Sequence, residues 1–251
     1  MRTAATRRIS VKNYPYALSF PGSNTNDMSV GTDTYLFERT QAFSVGMWIN
    51  VKRYLAGSAH IWSEYQSGSP FRGRLIRIDS GVLRFWLINT LNTNELKANY
   101  AVPPLNRWIR IVFTYDGSST AAGVKCYWDG VLQSQVSSTA TLSATIVATG
   151  VSTKWGGWTG ASANQPMFLA KPFVSDHEWT VTEVADDFYD SKFSGVAPVD
   201  YYDITEGSGT TVASLGSGAH NGTLGASVTW SSTETPMKAR TTIPQNRLGL
   251  S

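Results

Sequence analysis

The chain has 251 residues, of which 41% are hydrophobic and 12% aromatic, with a net charge of +3. A chain of this length and composition can bury a sizeable core, which excludes an intrinsically disordered protein. The one cysteine, Cys126, excludes an intrachain disulfide, and no apolar run approaches the ~20 residues of a membrane span.

The positive charge is concentrated in two terminal segments. Seven cations and no acidic residue lie before residue 13 and after residue 235, which leaves the remainder at −4. They are Arg2, Arg7, Arg8, Lys12, Lys238, Arg240 and Arg247. Such segments commonly contact nucleic acid or acidic protein surfaces, or are only solvated ends. We predict a basic arm at 1–13, without a signal peptide, and an extended basic tail at 232–251.

The first half of the chain contains several alternating apolar segments, which are typical of strands with one buried face. In the segment 82–89, Leu83, Phe85 and Leu87 face one way, whereas Arg84 and Trp86 face the other. The predicted strands here are 16–20, 43–51, 61–65, 74–79 and 82–89.

The segment 106–133 predicts a β-meander. Strict alternation over 109–115 ends at Asp116-Gly117, and a second strand, 124–128, ends at Asp129-Gly130. Asp-Gly between two such strands favours a tight turn, because glycine adopts positive φ without steric cost. Both aspartates are therefore interpreted as turn residues.

One helix is predicted after further strands at 145–151 and 167–173. Thr180 and Glu183 match a capping box, and apolar residues follow at helical spacing. Asp186, Asp187 and Asp190 are expected on its solvated side. Strands at 199–204 and 228–230 complete the pattern.

About a dozen short strands separated by turns predict an all-β, two-sheet sandwich over 14–231. The segments that carry a family resemblance are YALSFPGSN (16–24), FSVGMWIN (43–50), 108–117, YWDG (127–130), 168–188, 202–211, NGTL (221–224) and Trp230. In this order they resemble the concanavalin A-like lectin/glucanase superfamily, in its laminin-G-like (LamG) branch. The resemblance implies an antiparallel jelly-roll sandwich. Members include lectins, glycoside hydrolases, adhesion modules and structural domains of phage heads and tails, so the fold alone does not give the function.

Catalytic patterns of the hydrolase members are missing. Those enzymes place carboxylates at alternating positions of one strand, and no Glu-x-Asp-x-Glu pattern occurs. Asp200, Asp203 and Glu206 lie three residues apart and cannot line one strand face. The histidines have no partner at metal or triad spacing; they are His60, His177 and His220. We predict no enzymatic activity, no metal site and no cofactor.

A calcium site is the alternative to a protein without a metal. Lectin members often hold this ion with loop carboxylates and carbonyls. Asn24, Asn26 and Asp27 form a loop cluster of this kind, although a turn requires the same residue types.

The best candidate for a binding loop is KWGGWTG (154–160). Trp155 and Trp158 could stack on a sugar or hold a partner chain, and Asn164 and Gln165 could supply hydrogen bonds. The alternative is that one or both indoles fill the end of the sandwich.

Four arginines, Arg72, Arg74, Arg77 and Arg84, lie close in sequence, but on a hairpin they would divide between two faces. They indicate a phosphate-binding patch only weakly, and no nucleic-acid motif accompanies them.

Without a signal peptide, disulfides or catalytic carboxylates, the chain most resembles the phage virion proteins of the superfamily. This resemblance implies a structural or decorating component of a phage capsid or tail. Its termini would dock on neighbouring subunits, either other virion proteins or copies of itself. The alternative is a sugar-binding adhesin, extracellular or at a cell surface, that uses the Trp155/Trp158 loop.

Overall fold

The computed structural model describes residues 14–22, 26–158, 164–190 and 193–236. A helix, α1, spans Val181–Asp190, and a 3₁₀ turn spans Ala121–Gly123. In chain order the strands are β1 (Ala17–Phe20), β2 (Met28–Thr32), β3 (Phe43–Val51), β4 (Ser58–Tyr65), β5 (Gly73–Asp79), β6 (Val82–Thr90), β7 (Asn94–Ala101), β8 (Trp108–Tyr115), β9 (Val124–Trp128), β10 (Val131–Leu132), β11 (Ser137–Ala140), β12 (Ser152–Trp155), β13 (Met167–Ser175), β14 (Asp200–Tyr201), β15 (Thr211–Val212), β16 (Gly222–Leu224) and β17 (Thr229–Ser231).

These strands form two antiparallel sheets packed face to face, so the predicted jelly-roll sandwich is confirmed. The eight-stranded sheet has the order β10-β9-β8-β3-β13-β1-β17, with β14 paired to β13. The nine-stranded sheet has the order β11-β7-β6-β5-β4-β12-β2-β16-β15. No helix within the described ranges is both long and apolar enough to cross a membrane.

The meander predicted at 106–133 is the pair β8–β9 followed by β10. Asp129 and Gly130 join β9 to β10 with φ of 50° and 82°, the positive values that such a turn requires. Inward residues of β8, including Ile109, Ile111 and Phe113, enter the main core.

Helix α1 covers the outside of the eight-stranded sheet. The predicted capping box is confirmed, since Glu183 N–H donates to Thr180 Oγ1 and Thr180 N–H donates to Glu183 Oε2. Val184 packs beside Val112 and Phe173 in a small apolar cluster. The sheet beneath is therefore buried on both sides.

The prediction that the acidic residues of this helix face solvent is wrong for Asp187. Its carboxylate is fully buried and lies 2.5 Å from Arg110 Nε and 3.1 Å from Lys171 Nζ. The two cations project from β8 and β13 toward the helix, so they draw an acidic residue inward. They also hold the pKa of Asp187 below its ordinary value, although burial alone would raise it.

Two strand predictions need correction. Residues 145–151 are a loop, in which Ile146 N–H donates to the carboxylate of Glu38 and the carbonyl of Thr145 accepts from Asn89. These side-chain bonds replace a strand ladder. The strand predicted at 199–204 is confined to β14.

Candidate functional site

Trp155 lies in strand β12, not in a loop. Its indole is 0% exposed and packs beside Trp62 at a ring-centre distance of 6.3 Å. β12 pairs with both β2 and β4, and this pairing turns Trp155 inward. Trp155 is therefore a core residue, in agreement with the alternative that its indole fills the sandwich.

Asn164 and Gln165 are also fully buried. Asn164 Nδ2 donates to the carbonyl of Asn26, and Gln165 Nε2 donates to the carbonyl of Arg53. Both side chains thus anchor the return of the chain to β13, and neither presents its amide to solvent.

Trp158 has a different environment and remains partly exposed. Its indole stacks on the Tyr65 ring, with centres 4.9 Å apart and planes 9° apart, and lies 5.4 Å from the His60 ring. Tyr65 Oη lies 3.1 Å from His60 Nε2. These three rings form a packed aromatic trio.

The trio lies on the side of the nine-stranded sheet that faces away from the core, which we call the outer face. Core residues alternate along β5, β6 and β7, so the intervening residues point outward. The outward residues used below are His60, Tyr65, Arg77, Asp79, Arg84, Trp86, Glu95, Lys97 and Asn99.

Three cations surround Trp86 on the outer face. The charged groups of Arg77, Arg84 and Lys97 lie 4.5, 5.3 and 4.6 Å from the Trp86 ring centre. Cations at such distances are attracted by the electron-rich ring face. Strand register explains the contact, because Lys97 lies directly opposite Trp86 and Arg84 opposite Arg77.

Two carboxylates hold these cations in place. Asp79 accepts from Arg77 at 2.7 Å and also from Arg84. Glu95 lies 2.5 Å from Lys97 Nζ and accepts from Trp86 Nε1 at 3.1 Å. Burial alone would raise the pKa of Asp79, but the two guanidinium groups hold it below its ordinary value.

His60 connects the cations to the aromatic trio, because it lies opposite Arg77 in the β4–β5 ladder. Burial, reinforced by the Arg77 charge, lowers the pKa of His60 to about 3. The imidazole is therefore neutral at physiological pH.

Several buried polar atoms near the trio have no hydrogen-bond partner among the described residues. They are His60 Nδ1, Gln66 Oε1, Arg72 Nε, Arg77 Nε and Trp158 Nε1. Buried polar groups are normally satisfied, and other parts of the described molecule also contain such atoms, among them Trp48 Nε1 and Arg110 Nη2.

A polar depression of about 310 Å³ adjoins the trio through Gln66, which follows Tyr65 in the chain. Its lining is mainly backbone and hydroxyl groups and comprises Gln66, Ser67, Gly68, Ser69, Thr149, Gly150 and Val151.

Family and structural comparisons agree with this architecture. The family model Laminin_G_3, of the concanavalin A-like lectin/glucanases superfamily, matches residues 22–170, more than half of the chain. The chain belongs to the Laminin_G_3 family. No curated protein matches it in sequence.

The fold of this Laminin_G_3 chain is similar to those of several solved structures. A candidate carbohydrate-binding protein from Bacteroides ovatus has 15% identity and a TM-score of 0.62, over 94% of this chain and 63% of that one. The chain thus spans less than two thirds of that protein. The heptameric SAP-like pentraxin from Limulus polyphemus has 16% identity and a TM-score of 0.48, over 71% and 84% of the two chains. At 15% identity, the likeness to the Bacteroides ovatus protein shows the fold alone.

The structure shows how the predicted arginine cluster of this Laminin_G_3 domain divides. Arg74 points inward, is fully buried and pairs with Glu64 at 2.8 Å, whereas Arg77 and Arg84 share the outer face. The alternation of Arg84 and Trp86 against apolar residues was the sequence signal for this site. Lys97 and Glu95 were missed, because 94–101 was not predicted as a strand.

Two histidines have acidic partners that spacing did not reveal. His220 Nδ1 lies 2.7 Å from Asp200 Oδ2, and His177 Nε2 lies 3.3 Å from Glu183. Asp200 also accepts from Tyr35 Oη at 2.8 Å. Burial, with the Asp200 charge, raises the pKa of Tyr35, and this network links distant loops within the sandwich.

The calcium hypothesis concerns residues that have protein partners. Asp27 pairs with Lys154 at 2.8 Å, and Asn26 Oδ1 accepts from Ser227 N–H; Asn24 lies outside the described residues. Within the described ranges, no three His, Cys, Asp or Glu side chains form a metal-binding group. Calcium binding stays a prediction that a calcium titration of the protein would test.

The seven cations of the terminal segments, from Arg2 to Lys12 and from Lys238 to Arg247, lie outside the described residues. Their assembly contacts stay a prediction.

Proposed function

We propose that this protein is a non-enzymatic carbohydrate-binding module whose ligand contacts the outer face beside Trp158. The observation that carries the proposal is the partly exposed Trp158 indole, fixed on Tyr65 at 4.9 Å and next to the cations of the outer face. Family membership is compatible with it, since both lectins and hydrolases share this fold.

The chemistry of the trio fits a sugar. An aromatic ring offers an apolar surface to the C–H groups of a pyranose, while neighbouring donors and acceptors bind its hydroxyl groups. Because Trp158 is held by Tyr65 and His60 before any ligand arrives, less conformational entropy is lost on binding.

A glycan array probed with the full chain, followed by calorimetry on the best ligand, tests this function. We expect saturable binding that falls at least about tenfold in Trp158→Ala, a loss of ~1.4 kcal/mol. Trp108→Ala is the matched control, because Trp108 is a partly exposed indole on the other sheet. Absence of binding, or equal loss in both variants, would contradict the proposal.

A role as a structural or decorating virion component is a second proposal, supported by the seven basic residues near the termini. It is compatible with glycan binding, since a virion surface protein can do both. If protein lacking 1–13 and 236–251 assembles as well as the full chain, this role is wrong.

A further inference from the structure

We propose that the sugar recognised at the outer face is acidic, and that Arg77 and Arg84 bind its carboxylate or sulfate group. This inference rests on the proposed carbohydrate-binding function and names the class of ligand. Its basis is the juxtaposition of a partly exposed aromatic trio with two neighbouring guanidinium groups on one sheet face.

The cations of the outer face exceed its carboxylates. Arg77, Arg84 and Lys97 face Asp79 and Glu95, and the two arginines share the single carboxylate of Asp79. Each guanidinium carries five N–H donors in a fixed fork. Arg84 Nε also donates to Asn99 Oδ1 at 2.8 Å, so the contacts with Asp79 and Asn99 use only part of the donors of the two guanidinium groups.

The geometry favours an anion with two or more oxygens. Arg77 and Arg84 lie directly opposite each other on β5 and β6, so their forks project from adjacent strands ~5 Å apart. Carboxylates and sulfates accept paired bonds from such forks, and these charge-assisted bonds are about twice as strong as neutral ones.

Unpaired donors continue from the arginines toward the trio. Besides Arg77 Nε, they include Trp158 Nε1 and, when Tyr65 donates to Nε2, the Nδ1–H of the neutral His60 imidazole. His60 is 1% exposed, and a buried donor without a partner is costly. An anionic group offers acceptors only, so it matches a set of donors better than a neutral hydroxyl does.

The rest of an oligosaccharide has a matching surface. Ser67, Ser69 and Thr149 lie in the lining of the depression, together with Gln66, the residue that follows Tyr65 in the chain. Neutral sugar units bind well to such hydroxyl and backbone groups.

Calorimetry of the full chain with two matched pairs of sugars tests the inference. The pairs are trigalacturonic acid with its methyl ester, and lactose 3′-sulfate with lactose. We expect at least one acidic sugar to bind about tenfold more tightly than its neutral partner, since hydrogen bonds to charged groups contribute more than neutral ones. A higher salt concentration should reduce this difference in affinity, because the arginine pair is partly exposed and its charges are screened.

Variants at Arg84 locate the effect. Arg84→Gln should remove most of the preference for the acidic sugar, and Arg84→Lys should restore only part of it, because lysine lacks the fork. Arg107→Gln, on an exposed side chain beside β8, and Arg240→Gln, in the basic tail, should change affinity less than about twofold. Thermal unfolding confirms that each variant is folded.

The outcomes separate the two proposals. Equal binding of acidic and neutral sugars, or binding confined to neutral glycans, overturns the acidic ligand and leaves the carbohydrate-binding function intact. An acid preference that Arg107→Gln or Arg240→Gln reduces as much as Arg84→Gln overturns the site. If none of the four sugars binds and the glycan array is negative, both proposals fail.

Discussion

The two sheets carry similar residues on their outer sides and use them differently. On the eight-stranded sheet, the side chains of Arg110 and Lys171 are each 1% exposed beneath helix α1 and face Asp187. On the nine-stranded sheet, the side chains of Arg77, Arg84 and Lys97 are 14–18% exposed around Trp86. A covering element decides which set is sealed and which can still meet solvent.

This difference teaches how to interpret outward cations in a sandwich. A buried cation must be neutralised within the protein, because its desolvation costs several kcal/mol, so Arg110 and Lys171 are structural. A partly exposed cation keeps some of its hydration, as the proposed recognition by Arg77 and Arg84 requires.

The strongest test of the comparison is Asp187→Ala. This change leaves Arg110 and Lys171 buried without their shared carboxylate, so we expect the free energy of unfolding to fall by about 4 kcal/mol. Urea unfolding of the variant measures the loss. Asp176→Asn, at a 59% exposed side chain, should change stability by less than about 0.5 kcal/mol. A loss below 1 kcal/mol for Asp187→Ala would mean that helix α1 does not seal this pair.

Trp155→Ala and Trp158→Ala should separate core from surface within the predicted binding loop. Removing the fully buried Trp155 leaves a cavity and should cost about 3 kcal/mol of stability. Removing the partly exposed Trp158 should cost about 1 kcal/mol and act mainly on ligand binding. Denaturant unfolding together with the glycan assay checks both; equal stability losses would contradict the assignment.

His60 should make the free energy of unfolding depend on pH. Its pKa falls from 6.5 to about 3 on folding, so between these values the unfolded chain binds a proton that the folded chain does not. Stability should therefore fall as pH drops through 6.5, and the contribution of this residue approaches ~1.4 kcal/mol per pH unit about one unit below that value. Urea titrations at several pH values between about 7 and 5 measure how the free energy of unfolding changes with pH. The wild-type protein should lose stability more steeply than His60→Gln as pH falls, and equal slopes in the two proteins would contradict this role of His60.

Asp79→Asn is expected to lower the stability of the fold slightly and to strengthen the binding of acidic sugars. The pairs it breaks are partly exposed, so the free energy of unfolding should fall by only about 1 kcal/mol. Because the change removes a negative charge beside Arg77 and Arg84, acidic sugars should bind more tightly. Calorimetry on the variant measures this, and weaker binding would place the anion elsewhere.

Local patterns predicted much of this molecule. Alternation gave the faces of β3, β6 and β8, including the outward position of Arg84 and Trp86, and the Thr180–Glu183 pair gave the start of α1. These features depend on neighbours within a few residues, which a sequence shows directly.

The errors arose where distant partners decide the outcome. Asp187 is buried because of Arg110, 77 residues away, and no helical pattern contains that information. Trp155 was predicted in a glycine-rich loop because its partners in β2 and β4 are remote in sequence. Trp158, three residues later, is partly exposed, and its role in ligand binding stays a prediction.

The position of β12 has a consequence for how the chain folds. This strand lies between β2 and β4, and Trp155 pairs with Met28 on one side and Trp62 on the other. Both partners of Trp155 are far away in sequence, so long loops must close before these strands can pair. Such long-range pairing places folding at the slow, millisecond-to-second end of the range. During synthesis β2 and β4 remain open edges until residue 155 has emerged, which exposes them to mispairing. The Trp62 and Trp155 rings come within 6.3 Å only when the sheet closes, so the difference in fluorescence between the full chain and Trp155→Phe reports that moment.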